Sequence, residues 1–162
     1  MEGSCEMIEE RKGRGFEIAR GYEDKDIHIP VRKTKYAAGY DVEAAEDTII
    51  PPFSFGGKPT LIPTGLKAYC EKDEFYMLVN RSSGPKKGLV MANSIGIVDA
   101  DYYENETNDG HFYFQYYNFL NEEILVKKGD VIGQVIFQKF LVVNQDHAEG
   151  IRKGGFGTTD NK

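Results

Sequence analysis

Five short polar islands hold the residue types from which chemistry can be made: AGYD at 38–41, RSSG at 81–84, NSIGIVDADY at 93–102, KGDVIGQ at 128–134 and RKGGFGTT at 152–159. Asp99 follows a short apolar run that can hold its backbone still while the carboxylate faces a cavity and draws a proton from water. Arg81 offers a planar fork and Ser82 a hydroxyl with a backbone N–H, a pairing suited to phosphate oxygens. The amides of Asn93 and Gln134 can each donate and accept without adding charge. Each residue also has an ordinary use when taken alone. Asp99 could be a turn aspartate, Arg81 a solvated cation, Asp41 a turn cap, Gln134 an edge amide and Tyr102 a core ring.

Other chemistries find no residues to carry them. The three histidines, His28, His111 and His147, show no close His/His or His/Cys spacing of the kind a zinc site needs. No serine sits in a Gly-x-Ser-x-Gly elbow, and Cys70 has no partner nearby in sequence, so covalent catalysis is disfavoured.

The elements that must position these islands read as strands. Ten Tyr and ten Phe gather with Val and Ile in short runs broken by Gly, Pro or acidic turns. Strands are expected at 60–70, 74–80, 88–92, 94–98, 111–119, 122–127 and 131–143, with a polar leader and a first strand before residue 25. No stretch of more than ten residues after residue 20 keeps a helical period free of breakers. The aromatic run HFYFQYYNF is too apolar for a strand wet on one face, so its second face should meet another layer or subunit. The segment VDADYYENETNDG reads as a hairpin or a short extra turn. From about Asp146 the chain turns Gly-rich with one isolated Phe, the composition of a mobile tail that gains order with a ligand.

At 162 residues one hydrophobic core is expected, divided here into a domain at 1–145 and an arm at 146–162. The formal charge of −6 is spread among mixed acids and bases, so no broad basic field exists to retain nucleic acid. Two cysteines make no disulfide framework, and no apolar stretch reaches membrane length or resembles a secretion signal. A cytoplasmic protein without a membrane or nucleic-acid partner is the expectation.

The five islands, in this order and spacing, resemble the signature motifs of the trimeric dUTP pyrophosphatase (dUTPase) family from about Ile29 to Thr159. Gly-Ile-Val-Asp-Ala-Asp-Tyr and Gly-Gly-Phe-Gly-Thr-Thr carry most of the likeness. The resemblance implies an all-β, distorted jelly-roll fold of the β-clip type with a flexible C-terminal arm. It also implies Mg²⁺-assisted hydrolysis of dUTP to dUMP and pyrophosphate, in a homotrimer whose active sites are shared between subunits. Asp99 would then activate the attacking water and meet the 3′-hydroxyl, with Gln134 and Arg81 completing the catalytic set. Asn93, Gly96 and Val98 would read uracil through side chain and backbone, and Tyr102 would lie under the deoxyribose. Ser82, Ser83 and Gly84 would join Arg81 at the α and β phosphates, and Asp41 would reach Mg²⁺ through water. From the arm, Phe156 would stack on uracil, Arg152 would reach the γ-phosphate, and Gly157, Thr158 and Thr159 would line the closed site.

Two departures from the family pattern stand out. The stretch 103–110 resembles an insertion after the sugar-binding segment, and a single residue separates Arg152 from Gly-Gly-Phe where many relatives have two. Two other functions compete. A dCTP deaminase of the same superfamily would place a glutamate in the base pocket, where this chain has Asp99. A regulatory trimer of the kind found in phages and mobile elements would bind a protein partner through the acidic 103–110 loop.

Overall fold

The computed structural model describes residues 13–155. Its regular structure is almost wholly β, in eleven strands among the described residues. They are β1 (Gly15–Ile18), β2 (Tyr40–Glu43), β3 (Thr48–Ile50), β4 (Thr60–Pro63), β5 (Leu66–Tyr69), β6 (Glu74–Val79), β7 (Leu89–Met91), β8 (Gly96–Asp99), β9 (Tyr113–Asn118), β10 (Ile124–Val126) and β11 (Val131–Lys139). All the strand ladders are antiparallel, in a four-stranded sheet β2-β11-β6-β8, a three-stranded sheet β4-β9-β7, and the pairs β1-β5 and β3-β10. The arrangement is the distorted jelly roll expected from the sequence.

Period-two alternation drives the two larger sheets together. On β6 the inward set is Glu74, Tyr76 and Leu78; on β9 it is Phe114, Tyr116 and Asn118. With Val42, Ile62, Leu66, Phe112 and Val135 they form one continuous core. The polar members are satisfied: the Asn118 amide donates to the Ile50 and Glu122 carbonyls at 3.0 and 2.7 Å, and Arg14 bonds Glu74. A Cβ on Gly133 would lie 2.2 Å from the Phe114 ring, so glycine is what lets β11 pass over that ring. The β2–β11 register shifts between Val131 and Gly133, at the same point.

Three expectations are corrected. The run 60–70 is two strands in different sheets, because Gly65 takes φ +70° and the Thr64 hydroxyl donates to the Phe112 carbonyl at 2.6 Å, turning the chain between β4 and β5. The run 131–143 ends as a strand at Lys139, which pairs with the first residue of β6; the Phe140 N–H adds one last bond in the same register, to the Asp73 carbonyl at 3.0 Å. The strand expected at 94–98 is β8 at Gly96–Asp99, and it pairs with β6 rather than with β7, which pairs with β9. The second face of the aromatic run does meet other groups: Tyr117 packs on Phe53, and Tyr113 and Gln115 line a cavity.

Candidate active site

The corner between β7 and β8 carries the chain from the three-stranded sheet to the four-stranded one. It is tight: the Ile95 N–H reaches the Asn93 carbonyl at 2.7 Å, and Ser94 sits at φ +63°. Where the two sheets part at this corner lies a cavity of about 390 Å³. Leu78 and Met91 form part of its wall, with Asn93, the residues of β8, Tyr102, Tyr113 and Gln115. A cleft of mixed polar and apolar lining, with two amides, two phenols and a carboxylate, is of the size and character that holds a small ligand.

Along β8, Gly96 and the Val98 side chain are buried, whereas Ile97 and Asp99 face out. Asp99, at the end of the strand, therefore borders the cavity with its carboxylate half open to solvent. Tyr102, in a 3-10 turn at Ala100–Tyr102, is only 3% exposed. Its hydroxyl donates to the His111 carbonyl at 2.5 Å and accepts from the Asn108 amide at 2.7 Å. Burial pushes the phenol up to about 12, so it stays neutral.

The arm reaches the same cavity. Arg152 donates from Nη2 to Asp99 at 2.5 Å and from Nε to Asp101 at 2.7 Å. The Asp101 bond raises the guanidinium's affinity for its proton further. Gly155 lies against the Tyr102 ring, where a Cβ would come within 2.4 Å, and the Thr107 hydroxyl donates to the Lys153 carbonyl at 2.6 Å. Asp101, outside the set of expected site residues, holds Arg152. Phe156, Gly157, Thr158 and Thr159 lie outside the described residues.

The second group of sequence-selected residues gathers elsewhere. Asp41 on β2 stands opposite Gln134 on β11, and Gln134 stands opposite Val79 on β6. Directly opposed residues share a face of the sheet. Arg81 follows two residues beyond Val79 and brings Nε to 3.7 Å from the Asp41 carboxylate. Gln134 donates to the Asn80 carbonyl at 3.1 Å, and a Cβ on Gly39 would sit 2.0 Å from Gln134 Oε1, so that glycine makes room for the amide. The loop 81–88 coils on itself through Gly84, whose carbonyl accepts from the Lys87 and Leu89 N–H groups. Asn80, which no motif singles out, anchors this loop by donating to the Leu89 carbonyl at 2.8 Å, and its Oδ1 leaves no room for a side chain at Gly84.

Register separates the two groups. Asp99 pairs with Phe75 and Gln134 with Val79, so they stand four residues apart along β6, roughly 13 Å at the usual rise per residue. Among the described residues no three or more His, Cys, Asp or Glu side chains converge to hold a metal ion. A single, mostly buried Asp41 beside Arg81 suits a hydrogen bond from a metal-bound water better than a direct ligand shell.

A family model described as dUTPase matches residues 25–159. The deoxyuridine 5'-triphosphate nucleotidohydrolase of Lactococcus lactis subsp. lactis is 47% identical over 153 residues, spanning 91% of this chain and 98% of the relative. The crystal structure of dUTPase from Streptococcus mutans superposes with a TM-score of 0.74 at 40% identity, over 80% of this chain and 98% of that one. A mutant dUTPase from phage phi11 of S. aureus, described as revealing the coordination of a structural Mg(II) ion, shares the fold at a TM-score of 0.66 and 16% identity, over 86% and 99%. With a family model and a 47% identical relative both spanning most of its length, the chain belongs to the dUTPase family.

Proposed function

We propose that the chain hydrolyses dUTP to dUMP and pyrophosphate, in a cytoplasmic homotrimer whose active sites each draw on more than one subunit. The observation that supports the shared site is the register along β6: the Asp99 corner and the group of Gln134 and Arg81 stand at opposite ends of the strand, roughly 13 Å apart, with no enclosing wall between them to guide one nucleotide across. A second copy supplies that loop. An exposed aromatic group fits such an assembly: Phe53 packs against Phe55, Tyr117 and Phe119, and Phe55 is 98% exposed.

Uracil enters the cavity at the β7–β8 corner, where the Asn93 amide and fixed backbone groups complement a pyrimidine edge. A 5-methyl group would collide with the tight corner, and cytosine's exchanged donor and acceptor would leave buried groups unpaired. Tyr102 lies beneath the deoxyribose. Asp99 takes a proton from a water whose oxygen bonds to the α-phosphorus, while the bond from that phosphorus to the α–β bridging oxygen breaks and pyrophosphate departs. Arg81, Ser82, Ser83 and Gly84 of a neighbour hold the phosphate oxygens, and Gln134 of that same neighbour orients the water or the α-phosphate. Mg²⁺ carried by the triphosphate would neutralise phosphate charge there, with Asp41 bonded to its waters. Arg152 exchanges its aspartate partners for the γ-phosphate as the arm closes, which uncovers Asp99 and excludes bulk water.

The test is a panel of dUTP, dCTP, dTTP and UTP with the full chain and Mg²⁺, following pyrophosphate and ammonia. Pyrophosphate release from dUTP is expected, with Asp99→Ala lowering kcat by about 10³-fold or more at unchanged oligomeric state. Ammonia release from dCTP, or full activity in Asp99→Ala, would overturn the reading.

A further inference from the structure

The 103–110 stretch does not simply project from the surface. It is folded around Tyr102. Asn105 is 6% exposed; its amide donates to the Tyr102 carbonyl at 2.8 Å and to Asn108 Oδ1 at 2.7 Å, while its Oδ1 accepts from the Thr107 and Asn108 N–H groups at 3.0 and 3.1 Å. Asn108 Oδ1 also accepts from the Gly110 N–H at 3.2 Å. Gly110 closes the turn at φ +83°, where a Cβ would meet the Glu104 nitrogen and the Tyr102 carbonyl at 2.9 Å. The product of all these bonds is one placed donor, the Asn108 Nδ2, 2.7 Å from the Tyr102 hydroxyl.

That hydroxyl is held from the other side by the His111 carbonyl at 2.5 Å, and the His111 ring is itself fixed by the Gly65 N–H at 2.8 Å. A ring restrained only by packing can rock by tenths of an ångström, enough to admit an extra hydroxyl on a sugar. One pinned at its far end on two sides cannot do so without breaking hydrogen bonds in a buried site. We propose that Asn108 is a positioning residue for sugar discrimination: the 103–110 loop holds Tyr102 at the height that leaves no space for a ribose 2′-hydroxyl. The inference rests on the dUTP reading and deepens it, by giving the loop a role in choosing deoxyribose over ribose.

Asn108→Asp is the sharpest variant. It keeps the acceptor that Asn105 and Gly110 use and turns the group facing the Tyr102 hydroxyl from a donor into a charged acceptor, so that hydroxyl can no longer accept from residue 108 while it donates to the His111 carbonyl. Tyr102→Phe removes the hydroxyl itself, and with it both this bond and the one to the His111 carbonyl. Turnover of dUTP and UTP is measured for the full chain, both variants and the double variant, alongside melting temperatures. The dUTP/UTP ratio of kcat/KM is expected to fall roughly tenfold in each single variant, chiefly through a lower KM for UTP, with little further fall in the double variant. A merely structural loop would lower the melting temperature and act on both nucleotides alike. A ratio within about twofold of the parent in either folded single variant, or falls that multiply in the double variant, would overturn the proposal. If Asn108→Asp does not fold, Asn108→Ala is measured in its place under the same limits on the ratio. A parent chain that fails to turn over dUTP would instead refute the underlying reading.

Discussion

The two ends of β6 handle different chemistry in different ways. At the Phe75 end, the corner residues Asn93, Asp99 and Tyr102 border a cavity built within one chain and floored by a pinned ring. At the Val79 end, Arg81 lies against a mostly buried Asp41 and Gln134 donates to the Asn80 carbonyl, so these groups are held by one another and by the backbone. Reading a base and sugar demands shape, which a sheet corner provides. Gathering a triphosphate demands convergent charge, which can come from a neighbour.

The difference can be probed from both ends. Removing every residue after Gly150 deletes Arg152 from the corner, together with the rest of the arm; kcat/KM for dUTP should fall about 10²-fold or more while sedimentation shows the same oligomer. Gly39→Ala acts at the other end. Its Cβ would displace the Gln134 amide, and kcat should fall roughly tenfold with KM and melting temperature little changed.

The smallest effect is on stability alone. Burial pushes the His111 imidazole down to about 4 from 6.5, and its neutral Nε2 accepts the Gly65 N–H, while the nearby Asp109 charge opposes the shift. The unfolded chain therefore binds the extra proton first as pH falls. Stability from this group is complete above about pH 6.5 and is lost progressively toward pH 4, by up to about 3 kcal/mol. Thermal melts across that window should show the decline, and His111→Gln should flatten it.

Much of this was legible in the residues. Runs rich in aromatic and β-branched side chains became β6, β9 and β11 because alternation and burial agree there. Strands β2 and β3 went unmarked, since four- and three-residue segments beside Gly, Asp and Pro carry too little periodicity to register. The break within 60–70 depends on a hydroxyl bonding a carbonyl 48 residues away, which no local pattern announces. At the site, motif residues Asn93, Asp99 and Tyr102 do meet at one cavity. Tyr113 and Gln115 were hidden because a strand's outward face looks the same whether it borders solvent or a pocket, and Asn108 was hidden inside a stretch that read as turn chemistry. That Arg152 rests on Asp99 and Asp101 was also beyond sequence, because which partner an arginine on an arm finds is decided by tertiary geometry.

The most direct test of a site divided between chains is subunit mixing. Asp99→Ala and Arg81→Ala proteins, each inactive alone, are unfolded together in equal amounts and refolded. Random assembly then pairs an intact corner with a neighbour's intact phosphate loop in about a quarter of the sites, so roughly a quarter of parental dUTP turnover should return. A mixture that assembles but stays as inactive as its parents would contradict the account.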